Sequence, residues 1–392
     1  MTSPQKTVGD IHPAYERIAC AAPRQWLYLF EDEGVVFSEA RNRFAGLDAA
    51  GVAAYLAFDS GAVPADLQPI RAGQLPDAAA SAALETIHSL TQGVFPGGES
   101  PSDEWLDHDP HPGSASTAGS ANIDLCGIPV RLDYPAGPGE ELCQDCFRSC
   151  AASEIPARWR LSAEPRDHGW SICINGSEIF SLQHERQLGL GMLHAARSLL
   201  YAESRYDVAF HAGMVASDRC GLMLCAPREA GKSTLAAHLA AHGFDLVADE
   251  PALLDLETAT VAPVCLPISL KETSWQFLRE DWPRLDAAPI HLRSDGMKIR
   301  LAHPENWSPQ PRPVTQIVFP SYGPSAAPKV ESLSLLDTLR LLNAGGMLLA
   351  KRFPRAQFES LLDWLWRTAA YRMQYASLQQ ARRMLAEIRC MD

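Results

Sequence analysis

The sequence predicts an α/β protein built on a mixed sheet, with a small winged-helix-like α+β unit ahead of it. Three observations carry this. Between Ala209 and Ala248 short apolar runs alternate with one helical pattern. The first two of those runs are separated by only Ala216 to Cys220, which suits an antiparallel hairpin and is too short for a parallel crossover. Near the start of the chain, two further apolar runs flank an acidic turn. At 392 residues there is room for more than one hydrophobic core.

Composition sets the outer limits. A hydrophobic share of 46% with 21% charged residues is the profile of an ordinary soluble globular protein, and no run approaches the roughly 20 apolar residues that a membrane span needs. A net charge of −13 argues against bulk attraction to nucleic acid or an anionic membrane. The opening MTSPQKTVGD lacks the basic and apolar regions of a signal peptide, so the expectation is a cytoplasmic protein whose ten cysteines are reduced.

The elements follow in order. Trp26 to Phe30, the turn Glu31-Asp32-Glu33-Gly34 and Val35 to Phe37 predict a β-hairpin, followed by a short strand around Arg43-Phe44-Ala45. Asp48 is placed to cap a helix running through Phe58, with Gly61 ending it. Residues 1–95 are thus the first domain. Residues 96–120 are rich in Pro, Gly and Ser and predict a flexible linker, in which His108 and His111 are solvated. Residues 121–392 form the large domain. Cys143, Cys146 and Cys150, spaced by three and four, predict one buried helical face rather than a metal site.

Within the large domain the predicted elements are a strand from Ala209 to Val215, a strand from Gly221 to Cys225, a helix from Lys232 to His242 and a strand from Phe244 to Ala248. Leu235 and Leu239 share a helical face, and Gly243 stands where a left-handed residue ends a helix. The segment Ala226-Pro227-Arg228-Glu229-Ala230-Gly231-Lys232-Ser233-Thr234 lies between strand and helix, the context of a Walker A phosphate loop. Backbone N–H groups at the helix start face phosphate oxygens, Lys232 brings a cation to the β- and γ-phosphates, and the Ser233 hydroxyl can ligate Mg²⁺. Two positions depart from the usual loop. Ala226 replaces its first glycine, and Glu229 puts a carboxylate beside polyphosphate. Asp249, at the end of Leu246-Val247-Ala248-Asp249-Glu250, returns beside the γ-phosphate. There an acid either holds the metal through water or takes a proton from an attacking hydroxyl.

With FHAG around His211, a loop ending GKST and LVADE, the segment from Tyr206 to Lys271 resembles the HPr kinase/phosphorylase superfamily. A looser similarity, including VCLPISLK and IVFPSYGP, runs from Ile123 to the C-terminus. The resemblance implies a P-loop fold related to that of phosphoenolpyruvate carboxykinase, with ATP and Mg²⁺ as cofactors. It also implies that Asp249 activates the substrate hydroxyl, that Glu250 assists Ser233 at the metal, and that His211 lies beside the phosphates. Lys271, ending PISLK, is a candidate contact for phosphate or substrate. The N-terminal stretch VVFSEARNRFAGLDAAGVAAYLAFDSG looks like the PqqD family, small domains that recognise the leaders of ribosomally made peptides. There the leader adds as a strand to a sheet edge.

Together these readings lead to the expectation of an ATP-dependent kinase acting on a hydroxyl, serine by preference, of a ribosomally synthesised precursor peptide that docks on the N-terminal domain. Two alternatives stand beside it: a regulatory HPr-type kinase/phosphorylase, and a peptide-binding scaffold whose altered loop has lost turnover.

Overall fold

A computed structural model describes residues 15–20, 23–31, 33–49, 51–52, 55, 119–227 and 230–388. The predicted helix beyond residue 55, most of the linker with His108 and His111, and the loop residues Arg228 and Glu229 lie outside the described residues. The architecture is mixed α/β, with several sheets that are mostly antiparallel or mixed. No helix among the described residues is long and apolar enough to cross a membrane.

The chain divides into two compact units. The first is a four-stranded antiparallel sheet in sequential order, β1 (Glu16–Ala19), β2 (Gln25–Phe30), β3 (Glu33–Ser38) and β4 (Arg43–Leu47). The predicted hairpin is β2 with β3, in register from Gln25 opposite Ser38 to Phe30 opposite Glu33. Leu27, Val36, Ala45, Leu47, Val52 and Tyr55 close one small core. Asp48 acts as the expected cap, its Oδ1 accepting from the Gly51 N–H at 2.7 Å while its carbonyl accepts from Val52.

One boundary is corrected here. The sequence reading assigns everything after residue 120 to the large domain, yet Leu333–Thr368 belongs to the first unit. Its helix Arg355–Arg367 delivers Phe358, fully buried, whose ring stacks on Phe37 at 4.3 Å and 2° and tilts against Tyr28 and Phe44. Burying such a ring stabilises by about 1.5–3 kcal/mol, and aromatic pairing adds roughly 0.5–1.5 kcal/mol. From the helix Leu335–Ala344, Arg340 pairs with Glu33 at 3.1 Å and donates to the Leu47 carbonyl. A segment distant in sequence thus covers this apolar face of the sheet.

The second unit opens with the sheet β5 (Gly119–Leu125), β6 (Ile128–Tyr134), β7 (Trp159–Arg166), β8 (Gly169–Ile174) and β9 (Ser177–Leu182), in that order. The predicted linker therefore gives way to strand at Gly119. Helix α1 (Pro138–Phe147) buries Cys143 and Cys146 but stops short of Cys150, so the expected face of three sulfurs is corrected. The Cys150 thiol instead donates to the Cys265 carbonyl at 3.5 Å. Helix α2 (Leu188–Glu203) follows.

The predicted strand Ala209–Val215 is two strands, β10 (Val208–Phe210) and β11 (Ala212–Ala216), broken at His211. The apolar run is continuous because both halves are buried, but they pair with different neighbours. β10 runs antiparallel to β14 (Ala252–Asp255), whereas β11 runs antiparallel to both β12 (Gly221–Cys225) and β13 (Asp245–Asp249). The hairpin β11–β12 is the one that the short link requires. β12 then pairs in parallel with Gln316–Tyr322, which pairs in parallel with Ala369–Tyr375, so the sheet is mixed. Helix α3 (Lys232–Ala241) packs Leu235 and Leu239, both fully buried, into the core with Leu222, Leu224 and Leu246. Gly243 at φ 89° turns the chain back toward β13.

Candidate functional site

The start of α3, the end of β13 and the break at His211 meet in one place. Gly231, at φ 89°, is the residue before α3, a backbone that a side chain would strain, and its carbonyl accepts the first helical hydrogen bond from Leu235 at 2.9 Å. Ala226, Pro227, Ala230, Gly231, Lys232, Ser233 and Thr234 all lie on this strand-to-helix passage. Ala226 is buried and is not among the residues with positive φ. The substitution for glycine at that position therefore brings no strain of that kind.

Lys232 is buried, and its Nζ donates to the carbonyls of Ala226 at 2.6 Å and Pro227 at 3.3 Å. Burial lowers its pKa. The Lys271 charge adds to the lowering, while Glu250 and Asp249 oppose it. Lys271, at the end of the strand Ile268–Lys271, is thus close enough to be felt by Lys232. Ser233 Oγ donates to Asp249 Oδ1 at 3.2 Å. The backbone N–H of Ser269 also donates to the Asp249 carboxylate.

Asp249 and Glu250 are adjacent in sequence and opposite in character. Asp249 is 3% exposed, and burial, reinforced by the Glu250 charge, pushes its carboxyl up to about 6. Burial would raise Glu250 as well. The Arg197 guanidinium, the His211 hydrogen bond and Lys232 together outweigh that and hold it down at about 2. Two carboxyl groups whose surroundings drive them apart are the usual arrangement for one proton acceptor and one permanent anion. His211 Nδ1 stands 2.7 Å from Glu250 Oε1, so His211 is a partner of Glu250 and not a passive core residue. Glu250 itself has φ 57°, a left-handed backbone costly for a non-glycine residue and typical of functional positions.

Arg197 is the residue that the sequence reading misses. From α2 its Nε donates to the Glu250 carbonyl at 3.0 Å, and its Nη2 is buried with no hydrogen-bond partner among the described residues. The one available signal was a full positive charge in the helical run Leu188–Glu203, which otherwise buries apolar residues. Ser269 gives no such signal, because it acts through its backbone.

The oxygen donors present, a serine hydroxyl and two carboxylates beside a helix start, fit a hard cation such as Mg²⁺ and the phosphate groups that accompany it. No known family model matches the chain, and no curated protein matches it either.

Proposed function

We propose that the chain is an ATP-dependent kinase that phosphorylates a hydroxyl, serine by preference, of a ribosomally synthesised precursor peptide, and that its first unit binds the peptide's leader. The observation that carries the reading is the split pair at the end of β13. A carboxyl pushed up to about 6 is ionised at neutral pH yet basic enough to accept a hydroxyl proton, which suits Asp249 for general-base work. The resemblance of FHAG, GKST and LVADE to the HPr kinase/phosphorylase superfamily supports the same assignment and a P-loop kinase fold for the second unit.

In this mechanism Asp249 accepts the proton of the acceptor hydroxyl as its oxygen forms a bond to the γ-phosphorus, and the bond from that phosphorus to the β-γ bridging oxygen breaks, releasing ADP. Lys232 spends two of its three N–H donors on its own loop and keeps the third for a phosphate oxygen. Ser233 and Glu250 would hold Mg²⁺, which when bound neutralises charge on the phosphate oxygens. Arg197 and His211 keep Glu250 anionic, so that of the two adjacent carboxyls only Asp249 is raised toward neutrality. Lys271 is a further contact for phosphate or substrate.

Leader docking is supported by the winged-helix-like order of hairpin, strand and capped helix in the first unit, and by β1 and β4 standing as its outer strands. Incubating the full-length protein with ATP, Mg²⁺ and a serine-containing precursor should add one phosphate-sized mass to the peptide. No gain with any precursor, under conditions where ATP binds, overturns the kinase reading in favour of a peptide-binding scaffold. Removing the leader from the precursor should raise its KM by roughly 10²–10⁴ with little change in kcat, and an unchanged KM removes the leader-docking half alone.

A further inference from the structure

The far end of α3 carries a second cluster that the phosphate chemistry does not use. His238 and His242 are four residues apart on α3 and at its C-terminal cap, and Asp281 approaches them from beyond α4 (Glu272–Leu278). One ligating atom from each of the three lies within 4.8 Å of the others. His238 is fully buried, Asp281 nearly so, and the His242 ring is 29% exposed.

The hydrogen bonds restrict what can sit between them. His242 Nδ1 lies 2.8 Å from the His238 carbonyl, which can only accept, so Nδ1 carries the proton. His242 Nε2 then offers a lone pair unless the ring is protonated, and it faces Asp281 Oδ1 at 3.7 Å. A cation between these two electron-rich atoms would be attracted to both. His238 Nδ1, the ring nitrogen that faces the trio, lies 2.6 Å from Asp281 Oδ2, so a metal there would take the place of this hydrogen bond, with the ring proton on Nε2. The trio also stands at a helix C-terminus, where the backbone carbonyls favour a cation.

We infer that His238, His242 and Asp281 form a binding site for a divalent first-row transition metal, Zn²⁺ being the best chemical match, that ties the segment after α4 to the end of the phosphate-loop helix. Two imidazoles and one carboxylate, with a fourth position for water, are a standard donor set for this ion. Donors about 2.0–2.2 Å from a tetrahedral metal stand somewhat over 3 Å apart, close to the His242–Asp281 separation. The His238–Asp281 pair, at 2.6 Å, would have to open to that same separation. Trp282 Nε1, donating to the Ala237 carbonyl at 3.1 Å, already fixes the approach of the Asp281 segment.

The test uses full-length protein stripped with chelator and titrated with Co²⁺, read by its visible d–d absorption, and with Zn²⁺, read as bound metal by mass spectrometry. The expected result is one ion per chain at micromolar metal, with the Co²⁺ spectrum of nitrogen and oxygen ligands and no thiolate charge-transfer band. His242→Ala should weaken binding on the order of 100-fold or more with an unchanged circular dichroism spectrum, since that ring is partly exposed, and Asp281→Asn should do the same. A wild-type protein that binds neither ion, a thiolate band, or variants that bind as well as wild type would each overturn the site. No nucleotide or peptide enters the measurement, so its outcome is independent of the kinase reading.

Discussion

Asp145 and Asp249 are buried alike, at 2% and 3% exposure, and they titrate in opposite directions. Burial pushes both upward. Around Asp145 it is overcome by hydrogen bonds from His291 at 3.0 Å and from His303, with Arg148 adding an ion pair at 2.7 Å, and the carboxyl falls well below the usual range. Asp249 has a serine hydroxyl and a backbone N–H for partners and another carboxylate next door, so burial prevails. The contrast shows that depth alone does not identify a working acid or base. A buried carboxylate saturated with hydrogen-bond donors is a structural bolt, and one left short of them keeps its proton affinity.

The largest expected effect breaks the reactive side of this contrast. Asp249→Asn should lower phosphate transfer by about 10²–10⁴ while leaving nucleotide affinity within a few-fold, as read by single-turnover kinetics and calorimetry. For the wild type, kcat/KM should fall as the pH drops below about 6, because Asp249 must be ionised to accept the proton. Lys232→Ala should cost on the order of 10²–10³ in rate, and wild-type turnover by that variant would dismiss the phosphate loop.

The structural side is broken by Asp145→Asn, which should cost about 2–4 kcal/mol of stability in denaturant melts without changing transfer per folded molecule. Because the folded value of Asp145 is depressed, its contribution is present above its ordinary 3.8 and is lost as the pH falls further. The smallest effect sharpens the comparison. Asp249 has a raised folded value, so its proton-linked contribution is complete below about pH 4 and is lost as the pH rises through about 6. Asp249→Asn should therefore stabilise the protein by about 1–3 kcal/mol at pH 7.5, and the gain should vanish near pH 4.

These regions differed as much in legibility as in charge. The strand, loop, helix and return strand from Gly221 to Asp249 were readable because every signal was local: a short link, a helical face at Leu235 and Leu239, and a glycine at each end of α3. Asp249 and Lys232 came with them. The break at His211 was not readable, since two strands of different sheets join in one apolar run and only their partners tell them apart. Arg197 was hidden because its meaning depends on a carbonyl 53 residues away. His291 and Asp145 lie 146 residues apart and no spacing rule connects them. Phe358 was beyond reach for the same reason, being an ordinary apolar helix residue until the sheet it covers is known.

That last pairing sets the timing of synthesis. Phe37 leaves the ribosome about 320 residues before the helix whose ring stacks upon it. At roughly 5–20 residues per second, the nascent first sheet would wait about 15–60 s with an aromatic face uncovered, long enough for a chaperone to bind it. Deleting residues 1–95 would leave the converse problem, with Phe358 made and nothing to receive it. A ribosome-nascent-chain series should accordingly show the first sheet protease-sensitive until translation has passed the helix Arg355–Arg367 and cleared the exit tunnel.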